Sequence, residues 1–489
     1  MNYQELIVFI VYFLFVLGIG LYFFVKTKNG GEKDYFLGGR EMGGLVSALS
    51  AGASDMSSWV LMGLPASIFA LGIGQVWIAV GLGIGTVLSW ILVAPRLRSF
   101  SIVCGDSITL PQFLTNRFLS KSKVLQVICA VIFLVVYTIY SASSIKACGT
   151  LFNLVIGIDT TVAMYIAAGI IIVYTLLGGF SAVCWTDFFQ GLLMLGALMI
   201  APIAAYIAIQ NGHTPNVPVE LSENYWNLLS DGSFNWKSVS DILSGLGWGL
   251  GYFGMPHIII RYMAIKSPKE LKKSRIVGSV WTCLILAFSV AVAIIAVDYL
   301  GQLDDSSTVF IQMVRQLFPP IVSGVLLSAI LAAAMSTCDS QLLASASAFS
   351  SDVYKPILRK NASDKEMLWV GRIVVAIISI AALLIAANPN SGTIMSLVEN
   401  AWGLFGAAFG PVIILSLFWK KFSFAGAVAG ILAGGIVDAL WLVFLSSTGI
   451  YEIIPGFIAG LIAAIVVSLV SKPGSNVVEQ FEKAKEYKN

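Results

Sequence analysis

Twenty consecutive residues near the start of the chain, Leu6 to Val25, carry no charge, and apolar runs of comparable length recur as far as residue 471. About 20 such residues cross a bilayer core as a helix. Lipid offers no partner to backbone N–H and C=O groups, so these runs must fold as helices, and unwound backbone is tolerated only against protein or a polar cavity. Charged residues make up 11% of the chain, against about 25% in soluble domains. The pattern predicts an all-α polytopic membrane protein of about 13 transmembrane helices, at 6–25, 43–70, 75–95, 124–154, 160–180, 184–209, 238–262, 275–300, 320–350, 366–387, 394–419, 424–446 and 453–471. The first run lacks a basic leader and a small-residue cleavage site, and it exceeds a signal-peptide core, so it reads as a retained span.

Orientation follows from Lys and Arg, which favour the cytoplasmic side. Connections 26–41, 96–123, 261–275, 354–372, 420–421 and the tail 472–489 hold 26 of the 29. The alternate set holds acids instead, Glu220, Glu223, Asp231, Asp304, Asp305 and Glu452. This predicts an amino terminus outside the cell membrane and a carboxyl terminus in the cytoplasm. The polar stretch 98–123 is expected along the cytoplasmic face, and the tail after Pro473 as a short charged helix. Trp226 and Trp236 in the acidic loop suit the outer interface.

Two spans break the apolar pattern. Span two contains Ser47-Ala-Leu-Ser-Ala-Gly-Ala-Ser-Asp-Met-Ser-Ser-Trp59, with one carboxylate, Asp55, and five serines. A charge at that depth costs about 3 kcal/mol, and Ser and Gly hold a helix poorly. Span seven contains Ser244-Gly-Leu-Gly-Trp-Gly-Leu-Gly-Tyr-Phe-Gly-Met-Pro256; glycine costs about 1 kcal/mol in a helix interior and proline about 3. The broken spans stand five apart. Five crossings are odd, so units starting at spans two and seven are mutually inverted. A five-plus-five inverted-repeat core with two broken helices is the arrangement that marks a transport site.

In span nine, Ala333, Ser336 and Thr337 fall on one helix face. Two hydroxyls and a loosened carbonyl are hard oxygen donors suited to an alkali cation, and the unwound second span adds carbonyls of Ala53 and Met56. The bland alternative is that small residues simply allow close packing. Trp248 and Tyr252 are four apart and Tyr140 interrupts span four; aromatics with a polar handle suit a small amphipathic solute, or ordinary interior packing. Asp187 reads as a helix-start cap at the inner surface, and Arg40 as a positive anchor before the broken helix. Lys146, Asp298, Glu399 and Asp438 are further ionisable groups in or near spans. The six cysteines lack metal-type spacing and read as small buried hydrophobes; that the chain has only two histidines, His213 and His257, argues against a histidine metal site or triad. Nothing suggests an enzyme, an organic cofactor or a nucleic-acid partner. A channel would need a polar path through all depths, and a sensor a soluble domain beyond the short tail.

At these residues the chain resembles the sodium/solute symporter family, most closely its proline-transporting branch. The matching runs are Tyr35–Arg40, Ala48–Ser57, Leu61–Pro65, Gly247–Gly254, Leu327–Thr337, Glu366–Arg372, Phe405–Pro411 and Tyr451–Phe457. The resemblance implies an uptake system that couples L-proline, or a related small zwitterion, to sodium. It implies a sodium site of the Ala53, Met56 and Ala333 carbonyls with the Ser336 and Thr337 side chains. It implies coupling roles for Asp55, Ser57 and Arg40, and a substrate pocket lined by Tyr140, Trp248, Tyr252 and Pro256. The organisation it implies is an extra helix and first loop (1–42), a first repeat (43–209), an extracellular loop (210–237), a second repeat (238–419), two further helices (420–471) and a tail (472–489). Ser58, Gln75, Met255 and Ser340 depart from that branch, which has Gly, Glu, Gln and Cys there.

Overall fold

Every long apolar run folds as a helix, since only helices satisfy the backbone without water. The computed structural model describes residues 3–26, 32–177 and 179–487. Lys28 and Lys488, counted among the cytoplasmic cations, and Gly178 of span five lie outside them. Among the described residues there is no strand, only one isolated backbone bridge between Met42 and Ile265.

We number the helices α1 (Tyr3–Lys26), α2 (Gly44–Asp55), α3 (Gly63–Leu71), α4 (Ile73–Val103), α5 (Leu110–Arg117), α6 (Val124–Ile156), α7 (Thr160–Leu177), α8 (Phe180–Gln210), α9 (Trp236–Gly247) and α10 (Pro256–Ala264). Then follow α11 (Pro268–Leu300), α12 (Val309–Leu317), α13 (Pro320–Phe349), α14 (Asp364–Ala387), α15 (Ile394–Phe418), α16 (Phe424–Phe444), α17 (Ile453–Val470) and α18 (Ser475–Glu486).

Ten described helical stretches are long and apolar enough to cross a membrane, where the sequence predicts thirteen spans. Two of the other three are broken: span two is split into α2 and α3, and span seven into α9, a 3-10 turn at Trp248–Phe253, and α10. Span five is the helix α7, Thr160–Leu177, at an edge of the described residues. Three boundaries also move. α4 runs on to Val103, α11 starts at Pro268, and the ninth span winds on as a π-helix to Leu358. The 98–123 stretch is therefore no loose surface loop. It holds the end of α4 and the short α5, with Arg117 fully buried and its Nε donating to the Ser416 carbonyl at 2.9 Å. The tail does form a helix, α18, which buries Val477, Phe481 and Ala484.

Contacts between elements come in matched couples five spans apart. α2 packs on α8 as the Trp248–Phe253 turn packs on α15; α6 packs on α7 as α13 packs on α14; α8 touches α13 as α15 touches α6. Short amphipathic helices, α5 and α12, follow the second span of each set. The two broken spans run antiparallel. At one end Met42 N–H donates to the Ala264 carbonyl at 3.3 Å and Lys266 N–H to the Met42 carbonyl at 3.0 Å. At the other, the Ile73–Gln75 turn lies against α9. Glycine makes the approach of α4 to span seven possible. A Cβ on Gly85 would lie 2.3 Å from the Gly249 carbonyl oxygen, a separation no side chain tolerates. Antiparallel spans broken near their middles bring the two breaks together.

The side assignment is open to direct measurement. Single cysteines at Ser222 and Asn361, both exposed, in a cysteine-free background are expected to react with an impermeant thiol reagent from opposite sides, outside for Ser222. Reaction of both from one side would overturn the span count. Asn361 is preferred to Ser363, whose side chain caps α14 by accepting from Glu366 N–H.

Candidate functional site

The break in span two begins with one displaced hydrogen bond. In a continuous helix the Ser57 N–H would close on the Ala53 carbonyl; instead it donates to Asp55 at 2.8 Å. The released Ala53 carbonyl accepts from Ser336 Oγ at 2.8 Å and Thr337 Oγ1 at 3.5 Å. Ser336 Oγ also lies 3.2 Å from the Ala333 carbonyl. Four of the five expected sodium donors thus meet between α2 and α13. The fifth, Met56, closes α2 through its N–H on the Gly52 carbonyl at 2.8 Å.

The adjacent carbonyl, of Ser54, faces His257 Nε2 at 3.0 Å. A carbonyl only accepts, so Nε2 carries the proton and Nδ1 is the acceptor. The Tyr137 hydroxyl fits that tautomer, accepting from His257 N–H at 2.9 Å and facing Nδ1 at 3.2 Å. The two breaks are also tied by Tyr252, whose hydroxyl donates to Asp55 Oδ2. Asp55 Oδ1 is buried and has no hydrogen-bond partner among the described residues. Ser57 caps the short turn Ser58–Val60, its side chain accepting from Trp59 N–H at 3.4 Å. Tyr140 places its hydroxyl beside Ser57 and Trp59 without a well-formed bond to either.

Pro256 occupies the first turn of α10, where a missing N–H costs nothing. Above the break an aromatic wall is built on Trp248. Its ring lies 6.4 Å from Trp59, 6.4 Å from Trp402 and 5.2 Å from Tyr451, and Trp402 is 5.3 Å from Tyr252. Trp402 Nε1 donates to the Trp248 carbonyl at 2.8 Å. A cavity of about 470 Å³, lined by Met62, Gly63, Lys146, Asp305, Thr393 and Met395 among others, lies beyond this wall. Gly63, one of its lining residues, packs against Trp59: a Cβ on Gly63 would meet Trp59 Cβ at 3.3 Å.

Comparison with known proteins bears on this geometry. The profile of the sodium:solute symporter family matches residues 35–434. The chain belongs to the sodium:solute symporter family. Relatives of this symporter include the high-affinity proline transporter PutP of Bacillus subtilis (strain 168), 43% identical over 95% of this chain and 98% of that protein. The osmoregulated proline transporter OpuE of the same organism is 43% identical over 94% of each chain. The sodium/proline symporter of Staphylococcus aureus (strain USA300) is 42% identical over 99% and 96%. Among solved structures, a Na+-coupled sialic acid symporter in a substrate-bound outward-open state superposes with a TM-score of 0.78 at 20% identity, covering 96% of this chain and 98% of that one. Mhp1, a nucleobase-cation-symport-1 family transporter, gives 0.55 at 15% identity, covering 92% and 98%. At such identities these two likenesses establish the fold. The chain is a multi-pass membrane transporter and not an enzyme.

Arg40 stands before the broken helix, as the sequence suggests, and the twelve residues of α2, about 18 Å of helical rise, separate it from the break. Its guanidinium donates to the Met263 carbonyl at 2.6 Å, the Ser107 carbonyl at 2.7 Å and Asp106 Oδ1 at 2.9 Å, clamping the end of α4 to the end of α10. Asp187 is no surface cap. It lies fully buried in α8, 3.1 Å from Arg261 Nη2, with Ser50 Oγ donating to it at 2.7 Å. Arg261, counted among the cytoplasmic cations, is equally buried and reaches Ser50, Ser340 and the His257 carbonyl. Burial of one charge drives burial of the other, which counting loop cations cannot register. Tyr137, His257, Trp402 and Tyr451 were also missed; only the position of His257 directly after Pro256 signalled anything.

Breaking a buried pair strands a charge, at about 3–5 kcal/mol, whereas an apolar replacement of both partners is far milder. Asp187→Ala or Arg261→Ala is therefore expected to lower the thermal unfolding midpoint in detergent much more than Asp187→Leu combined with Arg261→Met. Equal losses in single and double variants would show that the pair does not stabilise the fold.

Proposed function

We propose that this symporter imports L-proline with sodium by alternating access, its amino terminus outside and its carboxyl terminus in the cytoplasm. The observation that carries the reading is the released Ala53 carbonyl, met by Ser336 and Thr337 of the opposite repeat beside the unpartnered Asp55 Oδ1. Sodium is the coupling cargo. On this reading the Ala53, Met56 and Ala333 carbonyls and the two hydroxyls hold it, and Asp55 contributes charge nearby. The two hydroxyls that now donate to Ala53 turn their lone pairs to the cation instead. Binding there draws span two toward α13 and favours the state in which both breaks are formed, so cation and solute stabilise one conformation by differential affinity.

Proline has a carboxylate, a secondary ammonium and a compact ring. Backbone N–H groups near Ser57 suit the carboxylate at a helix start. Tyr140, Trp248, Tyr252 and Pro256 enclose the ring, and an aromatic face also accepts the ammonium. The names of the relatives support proline. Met255, buried and apolar where the proline-transporting branch has Gln, favours a second reading, a related small zwitterion such as a betaine. The repeats are assigned to 43–209 and 238–419, joined by the outer loop 210–237 and flanked by 1–42, 420–471 and the tail 472–489. Arg40 acts on coupling through the cytoplasmic clamp, not by touching cargo. One sodium falling through 100 mV releases about 2.3 kcal/mol, and a tenfold gradient adds about 1.4. Together they sustain roughly 500-fold accumulation of a zwitterion.

Proteoliposomes with sodium and proton gradients imposed separately test the reading. Labelled proline is expected to accumulate only with inward sodium; accumulation on the proton gradient alone would reject sodium coupling. Asp55→Asn is expected to abolish accumulation while the protein still inserts. Ser336→Ala and Thr337→Ala are expected to raise the sodium concentration for half-maximal uptake about tenfold or more. Trp248→Ala and Tyr252→Ala should instead weaken proline and largely spare sodium. A solute that displaces labelled proline at far lower concentration than proline itself would replace it as the substrate.

A further inference from the structure

Behind the aromatic wall, next to Trp402 and Tyr451, lies a second group of acids that the transport site does not use. Asp438 on α16 and Glu452 at the start of α17 are 2% and 6% exposed. Asp438 Oδ1 and Glu452 Oε1 are both buried without a hydrogen-bond partner. Among the described residues neither carboxylate makes an ion pair. The titratable groups facing them are Glu399 on α15 and Tyr451, which add negative charge or none. Only the amino-terminal end of α17 offers Glu452 a positive field. Two carboxylates so placed carry an uncompensated charge that a membrane interior does not tolerate.

The two orphan oxygens converge on one spot. A Cβ built on Gly403 of α15 would lie 3.1 Å from Asp438 Oδ1 and 3.4 Å from Glu452 Oε1, with no other heavy atom closer than the Glu452 side chain itself. The missing side chain leaves a cradle whose wall is the pair of unpartnered oxygens. We propose that Asp438 and Glu452 share a single monovalent cation, an alkali ion or a proton, in the cradle at Gly403. It is separate from the sodium site between α2 and α13 and does not rest on which solute the protein carries.

The cradle is wired to the aromatic wall. Tyr451 precedes Glu452, its ring lies 5.2 Å from Trp248, and its hydroxyl donates to the Glu399 carbonyl at 2.7 Å, one turn before Gly403. Its N–H bonds Ser244 Oγ at 2.9 Å. A cation that holds Glu452 and Asp438 to α15 therefore fixes Tyr451 behind Trp248. Without it, repulsion between the acids loosens that support.

Infrared difference spectra of the full chain in lipid nanodiscs test the site. One arm replaces choline by sodium, lithium or potassium at constant pH; the other raises the pH in choline alone. The protonated-carboxyl carbonyl band is expected to fall and the carboxylate bands to rise in one arm. That component is expected to vanish in Asp438→Asn and in Glu452→Gln and to persist in Asp55→Asn and in Ser336→Ala. A response to alkali ion at fixed pH makes the ligand that ion; a response to pH alone makes it the proton. Gly403→Ala fills the cradle and is expected to shift the half-point of the responding arm at least tenfold. Should that variant not fold, the near-isosteric Asp438→Asn still decides. Its thermal stability should lose the dependence on cation concentration or pH that the parent shows, as linkage requires of a bound ligand. A carboxyl signal unchanged in both acid variants, or none in either arm, would overturn the proposal.

Discussion

One carbonyl left without its helical partner governs the centre of this molecule. In lipid an unmet backbone group costs several kcal/mol, so when Ser57 turns away from Ala53 the chain must supply something else. It supplies hydroxyls from α13, which lies more than 280 residues further on. The same demand recurs at Ser54, answered by His257, and at Tyr252, whose carbonyl accepts from Ser89 Oγ at 3.1 Å. The breaks are therefore places where local helical bonds have been exchanged for bonds between repeats. A cation that offers itself to such carbonyls competes with those side chains on nearly equal terms, which makes the arrangement reversible.

The antiparallel relation of the broken spans gives this exchange its geometry. Because the start of α2 lies beside the end of α10, interruptions near the middle of each span fall at one depth. Tyr252 and His257 of one break then reach Asp55 and Ser54 of the other. Charge is handled separately on each side of this centre. Arg261 and Asp187 neutralise one another on the side toward Arg40. Toward the other side, Asp438 and Glu452 both lie against Gly403, and among the described residues neither makes an ion pair.

Much of this was legible from residue types. Asp55 among serines, and five glycines before Pro256, mark the breaks because those residues give up helical bonds cheaply. Ala333, Ser336 and Thr337 are placed on one face by helical spacing alone, and the two hydroxyls do reach the Ala53 carbonyl. What the sequence hides is burial of charge. Asp187 reads as a cap and Arg261 as a cytoplasmic cation because each looks unpaired until the fold puts them 3.1 Å apart. Arg40 was legible as an anchor before the broken helix, but its partners, the Met263 and Ser107 carbonyls, were not. Trp402 and Tyr451 sit in apolar runs where an aromatic carries no local signal; only the packing of α15 and α17 on span seven gives them a place.

The short backbone bridge at Met42 has company. Arg40 holds the Met263 carbonyl, Arg98 holds those of Ile265 and Lys266 at 2.8 and 2.9 Å, and Glu41 pairs with Lys266 at 2.8 Å. All of them grip residues 263–266, the two arginines through main-chain carbonyls and Glu41 through the Lys266 side chain, so the two broken spans are fastened together at this end over four residues. Each such bond is worth about 0.5–3 kcal/mol. Any movement that parts α2 from the end of α10 must therefore give up several of them at one place, whereas a change at the breaks alone leaves this end shut.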